Sequence, residues 1–153
     1  MAWAPKGSPL VVDFRKNGMP YIACFAAISV NEGCKHVIFK EGAAFKGEDI
    51  CEFVQSLKWK VRRHDKIAVF WDNASIHHKP RKETCYDLGI PVIRNAPYRP
   101  DLNGIEFFWG HLKRLYRREV TKHRVQAEEW NQLKLVQRLV HNMPTQVAKD
   151  CAE

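Results

Sequence analysis

Long apolar stretches are missing from this chain of 153 residues. The longest, Tyr21 to Val30, is about half of what crosses a bilayer, so neither a membrane span nor a membrane partner is expected. Met1-Ala2-Trp3-Ala4-Pro5-Lys6-Gly7 lacks the apolar core of a signal peptide, which points to an intracellular setting: cytoplasm or nucleoid in a bacterium, nucleus in a eukaryote. Paired cysteines are missing too. Cys24, Cys34, Cys51, Cys85 and Cys151 are odd in number and form no Cys-x-x-Cys, a pattern that suits reduced, packed thiols better than a disulfide frame or a zinc site. No repeat, low-complexity tract or linker interrupts the chain. A mass of 17.8 kDa fits one domain, and 45% hydrophobic with 27% charged residues excludes intrinsic disorder.

Acid is the scarce charge. Lys and Arg number 25 against 17 Asp and Glu, for a net +8, and the excess is concentrated. Lys58, Lys60, Arg62, Arg63 and Lys66 against Asp65 make one patch of +4. Lys113, Arg114, Arg117, Arg118, Lys122 and Arg124 against Glu119 make a second of +5, so the two patches exceed the whole imbalance. Such patches suit a polyanion, although solvated faces that keep a protein soluble look the same. Trp59 and Tyr116 within them add rings that could stack on bases, which favours nucleic acid.

The patterning predicts an α/β protein. Leu10 to Phe14 is a short β-branched run before the Asn17-Gly18 turn; Tyr21 to Val30 and Lys35 to Lys40 read as a hairpin. From Gly47 the period becomes helical through Ile50, Phe53, Val54 and Leu57. Ile67 to Trp71, apolar on both faces, reads as a strand buried within a sheet. A helix over about Pro80 to Leu88 and a strand from Ile90 to Ile93 follow. A helix then carries Ile105, Phe108, Trp109, Leu112, Leu115 and Tyr116 as one stripe; another spans about Val125 to His141, and a short one starts at Pro144. Strands first and then strand–helix alternation indicate a mixed sheet flanked by helices, antiparallel at one side and parallel at the other.

Two acids stand out. Asp72 ends the Ile67 to Trp71 strand, where open α/β sheets place ligands and catalytic groups, although Asp72-Asn73-Ala74-Ser75 would also serve as an Asx-turn or helix cap. Glu106 follows Asn103 by three residues, the spacing of a capping box. Helical spacing, however, puts Gly110, Lys113 and Arg117 on its face. Bare space beside a carboxylate, followed by cations, suits a hard metal ion held against a phosphate backbone. Phosphodiester cleavage and strand transfer need an activated oxygen in line with a leaving oxygen. Two Mg²⁺ ions held by carboxylates supply that charge stabilisation, and bridging two ions usually takes a third acid. His77 and His78 lie beside Asp72 and could either touch a phosphate or a metal, or cap the following helix.

Trp71-Asp72-Asn73-Ala74-Ser75-Ile76-His77, followed by Ala96-Pro97-Tyr98-Arg99-Pro100-Asp101-Leu102-Asn103-Gly104-Ile105-Glu106-Phe107-Phe108-Trp109, resembles the mariner-like and bacterial insertion-sequence transposases. These carry an Asp-Asp-Glu triad on a ribonuclease-H-like fold, and the 34 residues from Asp72 to Glu106 agree with the family's spacing. Trp3-Ala4-Pro5-Lys6-Gly7 resembles the family's stretch before its second strand. Arg99 stands where the family usually has Ser and Gly104 where it has Pro, a change that loosens the start of the helix bearing Glu106.

The resemblance implies that Asp72 and Glu106 are the second and third metal ligands, with Mg²⁺ or Mn²⁺ as cofactor and two ions in a complete site. Asp13 is the weak candidate for the first acid, its register matching the segment after the first strand. Residues 1–153 are then expected to form an amino-terminally truncated catalytic domain that lacks the first central strand and a separate DNA-reading domain. The implied function is metal-dependent cleavage and strand transfer of transposon DNA ends; the alternative is an inert DNA-binding or subunit-interacting remnant. Implied partners are double-stranded DNA, as transposon ends and target, and a second copy or a complementing amino-terminal chain. The candidate DNA contacts are Lys58, Lys60, Arg62, Arg63, His77, Arg99, Lys113, Arg114, Arg117 and Arg118. A ribonuclease or junction nuclease on the same fold is a third reading, because a fold does not choose its substrate.

Overall fold

β-branched and aromatic residues on both sides of an Asn-Glu-Gly turn fold into an antiparallel hairpin, β1 (Ile22–Ser29) and β2 (Gly33–Glu41). The computed structural model describes residues 20–60, 66–126 and 129–153; Asp13, the Leu10 to Phe14 run, Arg62 and Arg63 lie outside the described residues. Ala27 faces His36 while Ile28 faces Cys34, so Lys35 is the extra residue of a β-bulge. That extra residue returns Cys34 to the face of Val37 and Phe39. One hairpin face therefore carries Ile22, Cys24, Ile28, Cys34, Val37 and Phe39, and the other carries Phe25 and His36.

Helix α1 (Gly47–Lys60) covers the second face. Ile50, Phe53, Val54 and Leu57 are buried at helical spacing, and the Phe53 ring meets Phe25 edge-on at 4.7 Å and His36 in a stack at 4.6 Å. Asp49 fixes the first turn by accepting from Lys46 N at 2.7 Å and Lys40 Nζ at 2.7 Å. These groups hold its carboxyl below the usual carboxylate range, the Lys40 hydrogen bond being the larger cause.

Strand β3 (Val69–Trp71) pairs in parallel with β4 (Val92–Arg94). Trp71, Val69 and Val92 join Ile50, Val54, Cys85, Ile90 and Phe25 in one core. The opposite face is open, with Phe70 and Ile93 exposed at 45% and 56%. This corrects the expectation of a strand buried on both faces: among the described residues β3 has one ladder neighbour, and the mixed sheet is present as an antiparallel pair and a parallel pair. The strand expected from Ile90 starts at Val92 because Ile90 N donates to Cys85 O at 2.8 Å and Pro91 has no N–H to give. Between the strands, a 3-10 turn (Ser75–His77) leads into α2 (His78–Pro80) and a π-helical turn (Arg81–Cys85), so this helical segment begins earlier than the expected Pro80.

The rest is helical: α3 (Gly104–Gln126), α4 (Gln132–His141) and α5 (Thr145–Ala152). Val125 lies in the last turn of α3 and does not begin the next helix as expected. The Asn131 side chain, accepting from Lys134 N at 2.8 Å, caps α4 instead. Phe108, Leu112, Val136, Val140, Met143 and Ala148 form a second core against the first hairpin face. Cys24 and Cys85 have their thiols pushed up to about 11 by burial, and all five cysteines are free, in keeping with packed, unreactive thiols.

Helix α5 reaches both the hairpin and α3 at glycines. Gly33 turns with φ 73°, and a side-chain carbon there would lie 2.9 Å from the Thr145 carbonyl oxygen. At Gly104 it would lie 1.8 Å from the Cys151 carbonyl oxygen. Gly104 therefore permits a backbone contact that pins the start of α3, which corrects the expectation of a loosened one. Gly110, on the same helix, has nothing within 4 Å of that position. Gly104→Ala is expected to cost at least ~1–3 kcal/mol in urea unfolding through overpacking. Gly110→Ala is expected to gain about 0.5–1 kcal/mol from helix propensity. Equal shifts in the two variants would remove the close approach as the reason for Gly104.

Candidate active site

The end of β3 and the loop after β4 are tied by amides. Asn95 N extends the ladder by donating to Trp71 O at 2.8 Å, and Asn73 Nδ2 donates to Asn95 O at 2.8 Å. Asn95 is itself buried, and its Nδ2 donates to Arg99 O at 2.6 Å. One asparagine thus links the segment that follows Asp72 to the turn that leads to Glu106. The turn is closed by Leu102 N on Arg99 O at 3.2 Å and Asn103 N on Pro100 O at 3.0 Å, and Glu106 N then bonds Asn103 O at 2.9 Å.

These ties bring the two acids to one place. Asp72, Asn73, Asn95, Tyr98, Arg99, Asn103 and Glu106 line a cavity of about 420 Å³. Asp72 does make the Asx-turn, Oδ1 accepting from Ala74 N at 2.9 Å, yet Oδ2 has no partner among the described residues. Glu106 does not act as a cap: among the described residues neither its carboxylate nor the Asn103 amide makes the reciprocal capping bonds, and Glu106 is exposed on the first turn of α3.

His77 lies behind Asp72. Its Nδ1 is 2.9 Å from Asp72 Oδ1, outside hydrogen-bond alignment, and its ring packs edge-on against Trp71 at 4.9 Å and Phe25 at 6.0 Å. Both ring nitrogens are buried, so the ring braces Asp72 and does not present itself to a phosphate. Arg99 is occupied: its Nε and Nη2 fork onto Asp101 at 2.6–3.1 Å. That hydrogen bond raises the Arg99 pKa and lowers that of Asp101.

The cations divide along α3. Lys113, Arg114 and Arg117 are exposed and unpaired among the described residues, and Lys113 and Arg117 continue the Glu106 face past the open space at Gly110. Arg118 at 3.7 Å, Lys122 at 2.8 Å and Arg138 at 3.9 Å surround Glu119 and hold its carboxyl below the usual range, the Lys122 hydrogen bond foremost. Lys58 and Lys60 are exposed at the end of α1 and do not line the cavity; Lys60 Nζ is 2.9 Å from His36 Nδ1. Trp59 is 87% exposed, whereas Tyr116 is packed on Trp130 at 6.2 Å.

Two carboxylates with asparagine oxygens around them are the hard donor set that Mg²⁺ or Mn²⁺ takes when one or two acids and a substrate phosphate complete its shell. No group of three His, Cys, Asp or Glu able to hold a metal occurs among the described residues. Asp72 and Glu106 are donors of that kind and are the two acids that line the cavity; the pair of ions expected needs a further acid. Asn73, Asn95 and Tyr98 line the cavity without having been site candidates from the sequence, and Asn95 lies outside both motifs. The signal for Asn95 was its place just after a strand end, alongside Asp72.

The mixed α/β fold, with an acid at the end of a parallel strand and another on the helix after the next strand, is the arrangement that the resemblance to a ribonuclease-H-like fold implies. The chain belongs to the DDE superfamily endonucleases, whose family model matches residues 1–129. It is similar in structure to the Mos1 strand transfer complex, with a TM-score of 0.64 and 14% identity over 99% of this chain and 45% of that one. It is also similar to the Mos1 transposase catalytic domain solved with raltegravir and Mg, at a TM-score of 0.57 and 13% identity over 86% of this chain and 74% of that one. The chain thus spans less than half of the first Mos1 chain. No curated protein matches it.

Asn95→Leu keeps the backbone ties and removes the amide bond to Arg99 O. Mn²⁺ affinity, followed by electron paramagnetic resonance, is expected to fall about 10- to 100-fold, as for other residues that orient metal ligands. An unchanged affinity in a folded variant would show that Asn95 does not set the spacing of the two acids.

Proposed function

We propose that this chain is the catalytic core of a DNA transposase that cleaves transposon ends and joins them to target DNA with a divalent metal. One observation carries the reading: Asp72 and Glu106, far apart in sequence, line one cavity, and the helix that bears Glu106 carries unpaired cations about two to three turns further along. The family membership supports nuclease chemistry, and the Mos1-like fold supports the two-acid arrangement.

The division of labour follows from the residues. Lys113, Arg114 and Arg117 hold the phosphate backbone by charge, and Gly110 leaves room for it to approach Glu106. The Asx-turn and the His77 ring fix Asp72 so that its free oxygen meets the cavity in one orientation. Glu106, carrying no capping bond, is free to share a cation with it. A divalent ion bound there supplies Lewis-acid stabilisation of the phosphate and a lowered pKa for the attacking oxygen. Water attack at phosphorus breaks a phosphodiester P–O bond and frees a 3′-hydroxyl; attack by that hydroxyl on a phosphorus of a second strand forms the new ester as that strand's own 3′-oxygen leaves.

A second reading has its own observation. The acids described make a two-carboxylate set, so an inert DNA-binding or subunit-interacting remnant would have the same cavity without turnover. Metal dependence separates the two. With a complementing amino-terminal piece, Asp72→Asn and Glu106→Gln are each expected to abolish Mg²⁺-dependent nicking of transposon-end DNA while leaving binding intact; nicking at the wild-type rate in either variant would refute the assignment. Binding without nicking in the wild type would favour the remnant. In both readings Lys113→Ala and Arg117→Ala should each make the slope of log K against log salt shallower by about 0.9 on duplex DNA. Slopes that match the wild type would exclude α3 as the binding face.

A further inference from the structure

Folding gives no account of Tyr98. Its ring is 99% exposed, and its φ of 57° is the one positive value at a non-glycine among the described residues. Glycine or asparagine takes that conformation more cheaply, and a ring in solvent returns nothing to stability. The turn is nevertheless firmly held. Pro97 and Pro100 flank it, Asn95 Nδ2 bonds Arg99 O at 2.6 Å, and Arg99 is forked onto Asp101. A stiff aromatic side chain is thereby displayed at the rim of the cavity that Asp72 and Glu106 line.

We infer that Tyr98 is a stacking platform for an unpaired nucleobase next to the phosphate bound at Asp72 and Glu106, so that the chain prefers DNA frayed or single-stranded at that point. The inference rests on the nucleic-acid reading above. Within a duplex both faces of every base are covered, so a protruding ring can stack only on a base that has lost a neighbour. Charge cannot be the main attraction at this rim, because the adjacent guanidinium is spent on Asp101. The contribution of Tyr98 is therefore insensitive to salt, unlike that of Lys113, Arg114 and Arg117.

The full chain is titrated, with Ca²⁺ present to neutralise the two acids, against blunt duplex and against the same duplex bearing a single-stranded extension with 2-aminopurine at the junction. Wild type and Tyr98→Phe are expected to bind the extended DNA on the order of tenfold tighter and to quench the probe. Tyr98→Ala and Tyr98→Gly should lose that margin and the quenching while keeping the salt slope; Gly also suits the backbone angle, so a folding defect is separable. The inference falls if Tyr98→Ala keeps the margin, or if the wild type shows none while its duplex binding still depends on Arg117. It falls equally if Tyr98→Ala changes the oligomeric mass and not DNA binding, which would make the ring a protein contact. No DNA binding of any kind would overturn both this inference and the proposed function.

Discussion

The site depends on hydrogen bonds made by one buried asparagine. Asn95 continues the parallel ladder through its N–H, receives the Asn73 amide on its carbonyl, and holds the Arg99 carbonyl with its side chain. Each bond is ordinary in strength. Their effect is geometric, since two acids on separate elements can share a cation only if the loops bearing them keep a fixed separation. The orientation of the amide is settled by the Arg99 carbonyl, which needs a donor opposite it. That assignment leaves Asn95 Oδ1 buried without a hydrogen-bond partner in the structure. An orphaned buried acceptor costs stability in the fold alone, and such costs concentrate where function requires a particular arrangement.

The second acid is placed from farther away. Glu106 sits on the first turn of α3, whose buried side, Phe108 and Leu112, packs with α4 and α5 on the hairpin face set by the Lys35 bulge. Helix α5 touches both the hairpin turn and the start of α3, and in each place a glycine admits the backbone. Glu106 therefore inherits its position from a chain of contacts running through the carboxyl-terminal helix. Asp72 inherits its own from the other core, through Trp71 and the His77 ring.

Much of this was legible in the sequence. The hairpin, α1, the β3 run, the stripe on α3 and the pairing of Asp72 with Glu106 follow from periodicity and from the resemblance around those two acids. What was missed has physical causes. The helix placed at Val125 failed because apolar spacing continued across a break that Asn131 marks by capping. The β3 strand was read as covered on both sides because an apolar run cannot say whether its second face is packed, and Phe70 is open among the described residues. Gly104 was misjudged because a glycine that loosens a helix and one that admits a carbonyl are the same letter. His77 stayed open between a phosphate or metal contact and a helix cap because nearness in sequence to Asp72 carries no information on which way the ring packs.

In the proposed function the distribution of charge on α3 decides how a polyanion meets the acids. Lys122, Arg118 and Arg138 gather around Glu119, so the far half of the helix spends its cations within the protein. Lys113, Arg114 and Arg117, nearer Glu106, keep theirs for solvent. Counting formal charge alone would make the patch uniform; counting pairs makes it strongest within two to three turns of the carboxylate. A phosphate beside Asp72 and Glu106 meets like charge, which costs about 1 kcal/mol per pair at 4 Å in water and several times that in a partly enclosed cavity. The free cations reduce that repulsion but stand too far along the helix to cancel it at the acids themselves. A divalent cation held by Asp72 and Glu106, as in the proposed function, would remove it at the source. Under the proposed function phosphate and metal binding would then depend on each other, each neutralising what would exclude the other.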